Sequence, residues 1–322
     1  MNDPKNCVKA ARLAIITATG LAILKVLTGI ITGSMALLSS AADSLLDILM
    51  SSGNLVALRH ASKPADEDHP YGHGKFETAA TLLQSLFIAA SGFFILYESI
   101  HRLLRGDNQL RHLNIGIAVL VISSIVSWFL SRHLKRVGTQ TESTALQADA
   151  LHYATDVYSN IGLLIGLVGV RILNWNWIDS ALSIGVGGYI LFAAYKLLKR
   201  SMNDFLDAGL PTEQQEKIVR CIEEYKQEVV GYHNLRTRRS GKQKMIDFHL
   251  TICRFKTIQE AHESANKIEQ LIKDKISNAD ITIHLEPSDC DKCREAGHQC
   301  TYSGKSHEVN NNPDTLIISV PT

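Results

Sequence analysis

The sequence predicts a helical membrane domain followed by a small soluble α+β domain and a short tail. Residues from about 10 to 200 form apolar blocks joined by short polar stretches, whereas charged side chains recur every few positions from about residue 206 onward. The averages conceal this contrast, since 45% of the 322 residues are hydrophobic and 20% are charged. We therefore expect a membrane domain over 1–205, a soluble domain over 206–288 and a tail over 289–322. The net charge of +1 gives no sign of a nucleic-acid partner.

Six apolar segments are long enough to cross a bilayer, which requires about 20 residues in a helix. They cover residues 10–32, 36–58, 79–104, 113–133, 143–173 and 177–199. The second and fifth segments are the least apolar, because each has charged side chains near its middle. Lys25 falls within the first, and its long side chain either reaches the membrane surface or faces a polar interior.

The distribution of Lys and Arg predicts the orientation of these segments. An even number of spans places both termini on one side, where we count twelve Lys and Arg residues near the spans, against four on the other side. Such residues concentrate on the cytoplasmic side of membrane proteins. Both termini and the soluble domain are therefore expected in the cytoplasm.

Two predicted spans carry paired ionisable side chains. Asp43 and Asp47 are four positions apart in the second span, and His152 and Asp156 repeat this spacing in the fifth, so each pair shares a helix face. Facing each other, the pairs offer one imidazole nitrogen and three carboxylates, enough for a tetrahedral metal site. Exposure of these side chains to lipid would cost about 10 kcal/mol, so a polar interior or a function is expected. Asp149 is expected to line the same cavity.

The ligand set predicts the metal and its counter-ion. One nitrogen with three oxygens suits zinc, cadmium, cobalt or ferrous iron, and His152 argues against manganese and magnesium. An empty site with three carboxylates in a low dielectric binds protons, which an entering metal expels. The site therefore predicts an exchange of metal for protons.

These features resemble the cation diffusion facilitators, and within that family the bacterial zinc and ferrous-iron efflux antiporters. The resemblance rests on the two ligand pairs, the six spans, the soluble C-terminal domain, and the stretches KPADEDHPYGHGKFE and HNLRTRRSG. It extends from residue 9 to about residue 288. It implies a homodimer in the bacterial inner membrane that exports divalent metal against protons by alternating access. It also implies a ferredoxin-like, metallochaperone-like cytoplasmic domain.

The loop after the second span contains Asp66, His69 and His73. The two histidines flank a predicted turn, Pro-Tyr-Gly, that could bring both rings to one ion. The resemblance implies a second, loop-borne metal site here, and a solvated acidic loop is the alternative. It further implies that Lys75 and Asp207 form a charge interlock that holds the dimer near the membrane surface.

The soluble domain is predicted to follow the order α-β-β-α-β, with both helices on one face of an open sheet. A Pro opens the first helix at 211–227, and a turn at Ser240-Gly241 joins the first two strands. The resemblance implies a two-zinc cluster at the dimer interface, formed by His233, His249, His262, His284 and Glu286. The family usually has aspartate where this chain has Glu286. Ordinary surface histidines are the alternative.

The tail contains a Cys/His cluster beyond the part that resembles the family. Its members are Cys290, Cys293, His298 and Cys300. This spacing is close to that of a zinc knuckle and could bind one soft ion. The alternative is a tail without a site, and most of 289–322 is expected to be disordered.

The sequence thus predicts an antiporter that exports zinc, with ferrous iron, cadmium and cobalt as further cargo and protons as counter-ion. The alternatives are the same transporter with iron or manganese as its main load, and a metal-sensing membrane scaffold that does not transport. An enzyme is not expected. The stretch HESAN at His262 begins like a zinc-protease motif, but Asn266 stands where the second histidine is required.

Overall fold

The computed structural model describes residues 4–32, 35–105, 114–173 and 177–288. Two compact units divide the chain, Met1–Leu206 and Asp207–Thr322. The first contains six long helices: α1 (Pro4–Thr32), α2 (Met35–Ala61), α3 (Lys75–Arg105), α4 (Asn114–Gln140), α5 (Thr144–Leu173) and α6 (Trp177–Phe205). The second contains α7 (Thr212–Glu223), β1 (Gly231–Ser240), β2 (Gln243–Cys253), α8 (Ile258–Lys275) and β3 (Ala279–Ser288).

The six long helices lie where the apolar segments predict them, and several extend beyond the apolar part. Within the described ranges, α1, α3, α4 and α6 are apolar and long enough to cross a membrane, over Asn6–Ile31, Lys75–His101, Ile117–Gln140 and Ala181–Phe205. Large apolar side chains point outward from these helices, among them Ile31 at 82% and Leu104 at 81% exposure. Such surfaces suit contact with lipid, so the prediction of a helical membrane domain is confirmed.

Small residues allow α3 and α6 to approach closely. A Cβ atom added to Gly92 would lie 2.9 Å from Ile190 Cγ2, and one added to Gly187 would lie 3.3 Å from the carbonyl oxygen of Gly92. Any larger side chain at either glycine would separate the two backbones, as is usual for small residues at helix contacts in membranes.

The start of α5 is fixed to the start of α3 by one buried carboxylate. Glu77 is 4% exposed, and its Oε1 accepts hydrogen bonds from Ser143 Oγ at 2.5 Å and from the backbone N–H of Ala145 at 3.2 Å. An acidic side chain at a helix N-terminus satisfies free N–H groups and opposes the positive end of the helix dipole. This contact positions α5, the helix that carries His152 and Asp156.

The second unit is a three-stranded sheet with two helices. β1 and β2 are antiparallel and joined by a turn at Gly241, whose φ is +60°, while β2 and β3 are parallel and joined through α8. Apolar side chains of β2, α7 and α8 form its core, including Phe248, Ile218 and Ile268, each at most 1% exposed. Thr257 and Glu260 form a capping box that begins α8. The order of elements is the predicted one.

Candidate metal sites

Three of the four paired ionisable side chains of α2 and α5 come together between these two helices. Asp47, His152 and Asp156 each offer a ligand atom within 4.8 Å of the others. His152 Nε2 lies 2.8 Å from Asp47 Oδ1, and the two side chains are only 16% and 20% exposed. The group offers one nitrogen and two carboxylates to a cation and leaves coordination positions for a further ligand.

Asp43, the fourth ligand predicted from the sequence, is not in this group of described residues. It lies one turn before Asp47 on α2 and is exposed. The helical spacing places both carboxylates on one side of α2, but only Asp47 contacts His152. A four-ligand site therefore requires Asp43 to approach the other three when the ion binds.

A buried polar network continues from this site for one further turn along α2 and α5. Asp149 is 0% exposed, and its Oδ1 accepts hydrogen bonds from Gln84 Nε2 at 3.0 Å and from Ser51 at 3.4 Å. Ser51 is also 3.0 Å from the hydroxyl of Tyr153, and Asn54 donates to Gln84 Oε1 at 2.8 Å. Asp149 Oδ2 has no hydrogen-bond partner among the described residues. The network ties α2, α3 and α5 together beside the candidate ligands.

The sequence interpretation named Asp149 for this region but missed Gln84, Asn54 and Tyr153. Gln84 and Asn54 gave a usable signal, because each is a polar side chain within an apolar helix and is at most 3% exposed. Their partners could not be identified from spacing, since the hydrogen bonds join different helices.

The loop between α2 and α3 brings Asp66, His69 and His73 together. The Nδ1 atom of His69 lies 3.3 Å from Asp66 Oδ1, and the Nε2 atom of His73 lies 3.4 Å from Asp66 Oδ2. The turn is closed by the N–H of Gly72, which donates to the carbonyl of His69 at 2.9 Å, with Gly72 at a φ of +75°. Two imidazoles and a carboxylate on one turn suit a transition-metal ion.

Hydrogen bonding favours the ionised form of Asp66, which is the form that can bind a metal ion. The backbone N–H of His69 donates to Asp66 Oδ1 at 2.8 Å and is the main reason that the pKa of Asp66 is lowered. The two histidine rings act in the same direction. The carboxylate therefore remains ionised when the pH falls moderately below neutral.

The sheet of the second unit aligns three histidines across its strands. His233 on β1 pairs with His249 on β2, which in turn pairs with His284 on β3. Glu286, two positions further along β3, points to the same face. Its Oε1 is 2.8 Å from His249 Nδ1 and its Oε2 is 3.1 Å from His233 Nε2, so one carboxylate bridges two rings.

The remaining predicted members of this cluster are less closely placed. His284 Nε2 lies 3.8 Å from Glu286 Oε1 and its side chain is 64% exposed. His262 lies exposed on α8, outside the group that His233, His249 and Glu286 form within the described part of the chain. Two imidazoles and a carboxylate fit zinc, with His284 beside them as a further nitrogen ligand.

Lys75 and Asp207 have contacts within their own units. Lys75 Nζ donates to the backbone carbonyl of Asp204 at 2.6 Å, and Asp207 Oδ1 lies 3.5 Å from Arg238. An interlock between them stays a prediction. The tail cluster of Cys290, Cys293, His298 and Cys300 lies outside the described residues.

Comparison with known proteins gives the family. Residues 11–206 match the cation efflux transmembrane domain, and residues 210–288 match the cytoplasmic domain of cation efflux proteins. The chain belongs to the cation efflux family, the cation diffusion facilitators. It is 34% identical over 280 residues to the cation-efflux pump FieF of Klebsiella pneumoniae, which covers 87% of this chain and 92% of the relative. FieF of Salmonella paratyphi A is 35% identical over 279 residues, with the same coverage.

A solved structure of CzrB in its zinc form is 31% identical and covers 25% of this chain and 91% of its own. Its TM-score of 0.24 is too low to support an argument. Membership of the family makes this chain a multi-pass membrane protein that exports divalent metal cations, and not an enzyme. The family, the membrane location and the export of divalent metal cations are confirmed, whereas zinc as the cargo stays a prediction.

Proposed function

We propose that this protein exports zinc from the cytoplasm of a bacterium across its inner membrane, in exchange for protons. Ferrous iron, cadmium and cobalt are further cargo that the same ligands accept. The observation that carries the proposal is the convergence of Asp47, His152 and Asp156 within 4.8 Å between two helices. A nitrogen ligand among carboxylates favours these ions over manganese and magnesium.

Proton exchange follows from the chemistry of the same three side chains. Metal binds the deprotonated forms of histidine and aspartate, so each ion that enters displaces protons. The hydrogen bond of 2.8 Å between His152 and Asp47 needs one proton between the two atoms, and the cargo has to replace it. When the ion leaves, the site is restored by protons from the side to which it opens.

The proposed topology has all of α1 to α6 crossing the membrane and both termini in the cytoplasm. It is supported by the excess of Lys and Arg on the terminal side. α2 and α5 are less apolar than the others because they carry the ligands, and a charged side chain at this depth is tolerated where it faces the protein interior. The membrane domain over 1–205 and the soluble domain over 206–288 are proposed as functional divisions.

For the soluble domain we propose a ferredoxin-like fold that stabilises a homodimer and binds zinc. His233, His249 and Glu286 are the nearest ligands, and His262 and His284 complete the set when two copies and the metal are present. Asp66, His69 and His73 are proposed as a loop site that exchanges metal with the cytoplasm. The Cys/His tail stays a candidate for one more ion.

The test is transport by the purified protein in lipid vesicles with a pH gradient. Metal uptake and internal pH are recorded together for zinc, ferrous iron, cadmium, cobalt and manganese. Asp47→Ala and Asp156→Ala are expected to lose at least 90% of zinc uptake and of the coupled proton flux. Asp274→Ala, the same change at an exposed position of α8, is the matched control.

Each outcome has a defined meaning. Zinc uptake without a change of internal pH would contradict the exchange of metal for protons. Near-normal zinc uptake by Asp47→Ala or Asp156→Ala would contradict the assignment of the transport site. Absence of uptake of every metal by the wild-type protein would favour a sensing scaffold, and a clear preference for iron or manganese would change the cargo.

A further inference from the structure

Lys25, in the C-terminal half of α1, is directed towards α2. Lys25 Nζ donates a hydrogen bond to Ser44 Oγ at 2.8 Å, and the carbonyl oxygen of Ser40 lies at 3.4 Å. Ser44 is 1% exposed and stands between the two carboxylates of α2. Since an ammonium inside a membrane is unfavourable unless it has a partner, its place beside these groups requires an explanation.

The charge of Lys25 acts on the proposed transport site. Ser44, which accepts its hydrogen bond, directly follows Asp43 and lies three positions before Asp47, so the ammonium is held beside the part of α2 that carries both carboxylates. Lys25 is seven positions before Thr32 at the end of α1, a distance of about 10 Å along a helix. The hydrogen bonds to α2 show that the side chain is held within the helical unit.

We propose that Lys25 is a fixed counter-charge of the transport site, one that neutralises the metal-loaded state and weakens the hold of the carboxylates on the ion. This inference rests on the proposed function. Three ionised carboxylates and one divalent ion leave one negative charge, which the ammonium of Lys25 cancels. With the charges of the loaded site summed to zero, no uncompensated carboxylate charge is left to hold the ion.

The same charge repels the metal ion, and so it speeds release. Without it, the carboxylates hold a doubly charged ion more tightly, because the attraction grows with the net negative charge of the site. Lys25 would thus set the balance between binding and turnover without binding the metal itself. Lys25 does not coordinate the ion, and it acts on affinity and rate only through its charge.

The test is the concentration dependence of zinc uptake in vesicles at pH 8 inside and out, with the full-length protein. Lys25→Met removes the charge and the hydrogen bonds, whereas Lys25→Gln removes the charge and keeps a donor for Ser44. Both are expected to lower KM for zinc at least threefold and to lower the maximal rate at least threefold. Lys25→Arg should remain within twofold of the wild type in both quantities.

The control is Lys9→Met, the same change at an exposed position of α1, with no expected effect. A loss of rate at an unchanged or raised KM would show that Lys25 acts only on folding or packing, and would overturn the proposal. So would a wild-type KM in Lys25→Gln, or an Arg variant that behaves like Met. If Lys25→Met does not fold, Lys25→Gln decides. No uptake by the wild type would overturn the proposed function and this inference together.

Discussion

His152 Nε2 lies 2.8 Å from Asp47 Oδ1 and joins α5 to α2 inside the helical unit. The two bonded atoms are also the atoms that would bind the cargo. In the proposed transport site, the proton shared by this pair takes the place that the metal ion would occupy. Binding of the ion does not need a large movement of either side chain, because Asp156 already lies within 4.8 Å of both.

Replacement of His152, the one nitrogen donor among the proposed transport ligands, should change the choice of metal. His152→Asp makes the site all-oxygen, which suits manganese better than zinc. We expect the ratio of zinc to manganese uptake to fall at least tenfold in the vesicle assay. His133→Asp, at an exposed position of α4, is the matched control. An unchanged ratio would mean that His152 does not set the selectivity.

The buried network should contribute to the stability of the helical unit. Gln84→Leu removes the donor that lies 3.0 Å from Asp149 Oδ1 and leaves a fully buried carboxyl with fewer partners. A buried polar group that loses its hydrogen bond costs about 1–3 kcal/mol of the free energy of unfolding. The quantity is measurable by unfolding in mixed detergent micelles.

The comparison for this variant is Gln259→Leu, on the exposed face of α8, which should have almost no effect. Equal stability of the Gln84 variant and the wild-type protein would show that the network is not a structural link between α3 and α5.

The sequence was sufficient for the helices and their order, because these depend on local periodicity, whereas the loop and cytoplasmic ligand candidates came from the family resemblance. Asp47 and His152 could be paired because intramembrane charges are few and costly. The placement of Asp43 outside the group of Asp47, His152 and Asp156 could not be predicted. Helical spacing shows that two side chains share a face, but it does not show how the facing helix is rotated. The row His233, His249 and His284 depends on strand register, which alternation alone does not determine.

The loop turn at Asp66 should resist mild acid. Its pKa is lowered chiefly by the His69 backbone N–H, so the charge that stabilises the turn is present above the ordinary pKa of aspartate, about 3.9, and is lost only as the pH falls through the lower folded value. We therefore expect the His69 amide to have the same hydrogen-exchange protection at pH 7 and pH 5, after correction for intrinsic rates.

Asp66→Asn should reduce that protection at both pH values, because a neutral amide is a weaker acceptor than a carboxylate. Asp68→Asn, an exposed neighbour in the same loop, is the control. Protection in the wild-type protein that falls between pH 7 and pH 5 would contradict the assignment of the charge to the turn.

Glu286 should determine zinc binding by the soluble domain. Its two oxygens lie 2.8 Å from His249 and 3.1 Å from His233, so it is the one side chain in this group that contacts both rings. Glu286→Gln removes the negative charge and one acceptor, and should lower zinc bound per full-length chain by about one ion, as expected when a site loses its charged ligand. Glu286→Asp shortens the side chain by one methylene, so it can approach one ring but not both, and should give an intermediate loss.

The measurement is equilibrium dialysis with metal analysis, and Glu263→Gln on the exposed face of α8 is the matched control. Zinc content equal to wild type in Glu286→Gln would show that the histidine row binds no metal through this carboxylate, whereas a loss with Glu263→Gln as well would show that the effect is not local.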